Sequence, residues 1–361
     1  MTDLGFTRES VKGLGSGAYL VNVLPSAVLT LGILALVTSH LYPWSEPLRD
    51  AQGQVVSPGI TSIIASLSSR GAVGAVLLTL AVLVTTVLLR PFQISAVQWL
   101  EGYWKDRGVV APFLALAVER HTRRHSLSRA RSLHFPQRRP TIAQFGAVAS
   151  QARIRRRAAS RINLAEASLA SYPERVEHIM PTLLGNILKR AETSAGERYG
   201  LDSVLTYPRL HPYLSSRLNQ EVETQLNVLD TTSTLTIVSG FLTVAASPLA
   251  VRGDVWSLIP VGLLLIASVS YRGARSAAGR HATLLAAAFD LHRFDMLGAM
   301  HRRLPENASD EYRDNQELCK ILAGGSPIDE VEPGRWVYIH PDTAGVQDLS
   351  PDTTDAQEEA S

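Results

Sequence analysis

The sequence predicts an all-α membrane protein, with four transmembrane helices in two pairs and a helical cytoplasmic domain between and after them. Three observations carry that expectation. Four apolar stretches contain no Asp, Glu, Lys or Arg. Arginine concentrates on one side of all four. The polar segments between them have the apolar spacing of helices, punctuated by proline and glycine.

The first stretch, AYLVNVLPSAVLTLGILALVTSHLY (18–42), exceeds the roughly 20 residues a helix needs to cross about 30 Å of hydrocarbon. Tyr19, Tyr42 and Trp44 stand at its ends, where amphipathic aromatic rings suit the membrane interface. It is too long for the apolar part of a cleaved signal peptide and lacks a convincing cleavage site, so it is read as a retained span. The second, AVGAVLLTLAVLVTTVLL (72–89), is bracketed by Arg70 and Arg90. TTSTLTIVSGFLTVAASPLAV (231–251) and VWSLIPVGLLLIASVSY (255–271) form a helical hairpin in this reading. The Arg252-Gly253-Asp254 triplet between them is then a short turn with a helix-ending glycine, not an integrin motif. Pro25, Pro248 and Pro260 are expected to kink their spans.

Orientation follows from charge. The 43–71 loop carries two bases and two acids, whereas 91–231 carries 20 Lys/Arg against 12 Asp/Glu. The positive-inside rule therefore places residues 1–17, the 90–230 region, a helix over 272–304 and the 305–361 tail in the cytoplasm. That tail holds 14 acids against three bases from Glu306 onward, and its end has the composition of a disordered segment. GRWVYIHP (334–341) within it could form one short strand. With no charged residue inside any span, an intramembrane proton relay has no visible carrier. A pore assembled by oligomers stays open as a possibility. Cys319 is the only cysteine, which excludes an intrachain disulfide and a cysteine-based zinc cluster, and it is read as an ordinary side chain.

In the cytoplasmic region, RPFQISAVQWLEGYWKDR (90–107) repeats apolar and aromatic residues at roughly helical spacing. It is either an amphipathic helix at the inner leaflet or an extension of the second span packed on the domain. From Arg120 to Arg161 there are 12 arginines, with no acid from 121 to 165. Arg153, Arg155, Arg156 and Arg157 are its densest group, expected to meet anionic lipid or a protein partner. No recognised nucleic-acid module accompanies this charge, so nucleic acid is not expected as a partner. His121 and His125 have an i,i+4 metal-ligand spacing, but flanking arginines repel a cation, and no metal is assigned to them. A long helix is expected over 141–172, ended by Pro173. The 272–304 helix carries a stripe of Leu284, Leu285, Ala288, Leu291 and Phe294. Its DLHRFD segment gathers Asp290, His292, Arg293 and Asp295, read as a structural ion-pair cluster rather than a catalytic dyad.

The most specific polar segment is TLLGNILKRAETSAGERYGLDSVLTYPRLHPY (182–213). Thr182 is placed to cap a helix running LLGNILKRAETSAGERY, Gly200 suits a left-handed stop, and Asp202 is placed to cap the segment after it. Tyr207 and His211, each before a proline, are expected to be extended. Asn186, Glu192, Arg198, Asp202 and Arg209 remain as candidates for an anionic ligand or a subunit contact, since arginine forks suit phosphate and carboxylate. No phosphate loop, nucleophile elbow or HExxH motif is present, and neither catalytic residues nor a cofactor are assigned.

PTLLGNILKRAE, RYGLD and YPRLHP, with RPFQ and LEGYW upstream and FDLHRF downstream, together resemble a group of bacterial multi-span membrane proteins, most frequent in actinobacteria. The resemblance covers roughly 70–305. It implies a multi-pass fold in the inner membrane and no reaction, the group having no established activity. The arginine-rich, lysine-poor composition fits a high-GC bacterial source. The expected function is therefore an oligomeric membrane scaffold that contacts anionic lipid or a cytoplasmic protein partner. An oligomeric channel is the alternative, and a membrane-bound enzyme the third reading.

Overall fold

The computed structural model of the chain describes residues 16–42, 71–104, 110–133 and 163–324, with the single positions 45 and 160. The described residues are helical and include no strand. The longer helices are α1 (Ser16–Thr38), α2 (Gly71–Glu101), α3 (Val110–Leu133), α4 (163–169), α5 (Leu183–Ser194), α6 (Ser203–Leu210), α7 (Ser216–Ala246), α8 (Ile259–Ala299) and α9 (Ala308–Leu322). Among the described residues, three helices are long and apolar enough to cross a membrane: Gly71–Glu101, Ser216–Arg252 and Val255–Ala299. Helix α1 contributes a shorter apolar stretch, Val23–Thr38. The chain divides into two compact units, Met1–Ala195 with Ser215–Ala287, and Gly196–Leu214 with Ala288–Ser361.

In the first unit α1, α2 and α7 pack together. Bilayer lipid is as apolar as leucine, so close van der Waals approach rather than water exclusion holds such helices together. Gly32 shows this: a Cβ there would lie 2.6 Å from Leu242, which is itself fully buried. Leu36, Leu41, Val238, Leu242, Ala246 and Leu249 form one core around this approach. The opposite faces stay open, with Val76, Val87, Leu265 and Val269 at least 60% exposed. A lipid-facing surface requires that pattern, and it would be costly in water. The turn after α7 is closed by Arg252, which pairs with Asp254 at 2.8 Å and donates to the Leu41 carbonyl at 2.8 Å. Gly253 is left-handed with φ 72°, in keeping with a turn at the Arg-Gly-Asp triplet.

A second core lies where the polar segments begin. Leu100, Leu184, Leu188, Leu229, Ala274, Ala277 and Ala278 come together from α2, α5, α7 and α8. Ala274, Ala277 and Ala278 of α8 are fully buried in it. In the second unit, Gly200 has φ 75°, and a Cβ there would lie 2.2 Å from the Tyr312 carbonyl oxygen, so only glycine fits.

Several expectations are revised. The 272–304 helix is not separate, because α8 runs unbroken from the fourth apolar stretch to Ala299. The 90–101 segment, by contrast, follows one of its two readings: it continues α2 through Pro91, with Val97 and Leu100 packed inward while Phe92, Ile94 and Trp99 are exposed. Pro248 and Pro260 do not kink span interiors: they occupy the first turns of Ser247–Arg252 and Ile259–Ala299, where a missing amide costs no helical bond. Helix α5 ends at Ser194, with Glu197–Tyr199 forming a separate short turn after Gly196. Tyr207 lies inside α6 and His211 is helical (φ −51°, ψ −42°), not extended. The restriction before proline is a bias, and here Pro208 removes one bond from a capped helix while Pro212 starts a new turn. Helix α9 arises in a region whose composition is acidic and turn-rich. Asn307 caps it by accepting from the amides of Ser309 and Asp310. The 141–159 part of the expected long helix and the 334–341 segment lie outside the described residues.

Candidate functional site

The polar segment 182–213 is anchored first by Thr182. Its hydroxyl accepts from the Gly185 amide at 2.9 Å and donates to the Leu100 carbonyl at 2.6 Å. That couples the start of α5 to the end of α2. Gly185 makes the approach possible, since a Cβ there would lie 2.0 Å from the Glu101 carbonyl oxygen.

Asn186 is fully buried, and its side chain closes the turn before α5. Its amide nitrogen donates to the carbonyls of Met180 (2.8 Å) and Thr182 (2.6 Å), and its oxygen accepts from the Met180 amide (2.9 Å). Both of its N–H donors are thereby used on backbone. Arg190 reaches across to the Leu169 and Tyr172 carbonyls at 2.7 and 3.3 Å, fixing the turn after α4. Glu192 pairs with Lys189 at 3.2 Å, and the fields of both act on the Glu101 carboxyl. Burial, with the negative charge of Glu192 next in importance, pushes the Tyr103 phenol above its ordinary pKa.

Asn186 and Glu192 belong to the first unit, and Arg198, Asp202 and Arg209 to the second. Asp202 acts as the anticipated cap, accepting from the amides of Val204 and Leu205. Arg209 folds back onto the Leu205 carbonyl at 2.6 Å. Arg198 lies 3.7 Å from Asp290 at the surface. Asp290 also accepts from the Tyr199 hydroxyl at 2.6 Å, and Arg293 stacks 4.0 Å above the Tyr199 ring. The Arg293 guanidinium then meets Glu311 at 2.6 Å, both side chains being largely buried. His292 and Asp295 form their own pair at 2.9 Å. Sequence reading singles out the DLHRFD residues, but Glu311 and Tyr199 complete the cluster from segments that spacing along α8 does not reveal. Arg153, Arg155, Arg156 and Arg157 lie outside the described residues.

Cys319 is half-buried; it accepts from the Asp202 amide at 3.1 Å, and burial pushes its thiol pKa up. A nucleophilic cysteine needs the opposite shift.

One feature escapes sequence reading. A cavity of about 500 Å³ is lined by Arg124, Leu127 and Ser128 of α3, Leu164, Ala167 and Ser168 of α4, Ser171, Tyr172 and Leu183, and Arg275 of α8. Among the described residues, no carboxylate lines it. Tyr172 is 3% exposed and hydrogen-bonds Nδ1 of His121 at 2.9 Å, with the His125 ring against its edge. The two histidines at metal-ligand spacing thus grip a tyrosine. Burial, then Arg124 and Arg120, hold the His121 imidazole below its usual pKa, and burial, then Arg129, does the same for His125. Burial raises the Tyr172 phenol, opposed by the charges of Arg124, Arg275 and Arg120. The only sequence signal for the cavity is the arginine density itself. It cannot say which arginine meets a cavity.

Compared with models of known families, with curated proteins and with solved structures, the chain matches none of them.

Proposed function

We propose that this chain is a multi-pass bacterial inner-membrane protein in which all four apolar stretches cross the bilayer, with both termini and the 90–230 region in the cytoplasm. It acts there as a non-enzymatic interaction scaffold and homo-oligomer, meeting anionic lipid and a cytoplasmic protein partner through its arginine-rich face. One observation carries this reading. Helix α8, its apolar flank open, continues directly into a polar segment, 272–299, with four arginines against two acids, and the 91–231 region carries 20 Lys/Arg against 12 Asp/Glu, an excess suited to a negatively charged leaflet. The polar residues of 182–213 support it further, because their described side-chain bonds close turns, cap helices and pair charges.

Topology is tested by thiol labelling in intact cells and in opened membranes, using native Cys319 and a Gln54→Cys reporter in a Cys319→Ser background. The reading expects Gln54→Cys to label from outside and Cys319 only after opening. Scaffold function is tested by co-purification from crosslinked membranes. A defined partner should be recovered with the full chain and lost when Arg153, Arg155, Arg156 and Arg157 are changed to Ala. Selective ion flux through reconstituted protein would instead support the channel reading.

A further inference from the structure

We propose that the cavity between α3, α4 and α8 binds a phosphate ester, held by Arg124 and Arg275 and supplied by the headgroup of an anionic phospholipid. The inference rests on the membrane reading above and assigns it a specific lipid site.

Charge comes first. Among the described residues, two guanidinium groups line the cavity and no carboxylate accompanies them. Nε of Arg275 is buried without a hydrogen-bond partner. Guanidinium forks match phosphate oxygens in geometry and hold their charge at any physiological pH. Hydroxyls of Ser128, Ser168 and Ser171 share the wall and can turn toward phosphate or glycerol oxygens.

Depth argues for a lipid as the source. Arg275 stands four residues beyond Tyr271, the last residue of the fourth apolar stretch. At 1.5 Å per residue that is about 6 Å past the hydrocarbon, the level of the headgroups. Leu183 of the lining lies near the same level, because the neighbouring Leu184 amide donates to the Tyr271 hydroxyl at 3.3 Å. Leu127 and Leu164 are 55% and 67% exposed and present apolar surface beside the two charges. A soluble phosphate has no use for that surface, whereas the glycerol and first acyl carbons of a lipid do.

The site is also held in shape. His121 fixes the Tyr172 hydroxyl, and Arg190 fixes the carbonyls of Leu169 and Tyr172. Binding therefore orders little that is not already ordered. About 500 Å³ accommodates a headgroup comfortably.

The test uses the full chain in detergent, titrated with short-chain phosphatidylglycerol or phosphatidylcholine and read by native mass spectrometry. Inorganic phosphate and glycerol 1-phosphate form parallel arms, read by calorimetry. Phosphatidylglycerol should bind at least about tenfold more tightly than phosphatidylcholine, with little heat from the soluble phosphates. Arg275→Gln should lose about tenfold in that affinity, the scale of one charge-assisted contact. Should that variant misfold, Leu164→Glu adds a carboxylate at an exposed position beside the cavity and should weaken binding similarly. Arg303→Gln, an exposed arginine paired with Glu306, should not change it. Equal binding of the two lipids, or unchanged binding in both cavity variants, overturns the site. Soluble phosphates binding as tightly as the lipid overturn the lipid source. Thiol labelling of Gln54→Cys and Cys319 separates the failures: correct topology without lipid preference breaks the cavity assignment alone, and wrong topology breaks the membrane reading beneath it.

Discussion

The two polar clusters of this molecule solve the same problem with different chemistry. Around Asn186 and Thr182, neutral amides and hydroxyls close on backbone groups. Around Arg293, full charges close on one another and on an aromatic face. Neutral groups are cheap to bury once every donor is met. A buried charge tolerates no missing partner. By that standard DLHRFD is a satisfied structural set, whereas the described lining of the Arg124–Arg275 cavity holds two cations and no carboxylate.

The largest effect should therefore come from the charged cluster. Arg293→Met leaves Glu311 buried and unpaired, with an expected loss of about 3–5 kcal/mol of stability. Arg293→Met combined with Glu311→Leu should recover most of it. Thermal unfolding of the full chain in one fixed detergent measures both, and a double variant as damaged as the single would show that the charges do more than neutralise each other. In the neutral cluster, Asn186→Ala strands the Met180 amide and carbonyl and should cost about 2–4 kcal/mol in the same assay. A loss well below 1 kcal/mol would mean that water or backbone motion replaces the amide, and the contrast between the clusters would then be one of degree only.

The features legible in the sequence are those a short segment dictates for itself. Thr182, Gly200 and Asp202 carry out the cap and stop roles their types and positions imply. The apolar character of the spans and the helical class can also be read, because hydropathy is local. Boundaries set by tertiary packing cannot. Hydropathy changes at Tyr271 and suggests a division of helix α8 there, although the backbone bonds of a helix are indifferent to that change. Helix α9 is hidden by its acidic composition, even though Asn307 caps it and Leu318 is buried. Asn186 stands out for its polarity, but its use depends on the fold of Met180 and Thr182. Arg275 does not stand out at all, because nothing along the chain marks the cavity it lines.

The close approach of α5 to α2 sharpens the account of the neutral cluster. Gly185→Ala places a methyl 2.0 Å from the Glu101 carbonyl oxygen, which must move, with an expected cost of about 1–3 kcal/mol. Gly279→Ala meets nothing within 4 Å in helix α8 and should be neutral or stabilising by up to about 1 kcal/mol. If both substitutions behave alike, the clash is relieved by an easy shift of α5 and the Thr182 tie is not rigid.

The smallest effect concerns pH and the grip on Tyr172. His121 and His125 have folded-state pKa values below the ordinary 6.5, chiefly through burial. A depressed histidine pKa means that the unfolded chain binds the proton more readily. The stability these side chains contribute is therefore whole above about pH 6.5 and declines as the pH falls toward their folded values. His121→Gln removes one titrating group, so the variant's stability should fall less steeply than the parent's between neutral and mildly acidic pH. The comparison must be a difference between the two curves, since carboxylates elsewhere act on both alike. Because His121 holds the tyrosine that walls the cavity and stays neutral in the folded chain until the pH falls below its depressed pKa, phosphatidylglycerol binding by the parent should weaken only below that point, and the variant should show a flatter profile there. Parallel profiles would mean that the imidazole is a spacer and that the cavity keeps its shape without it.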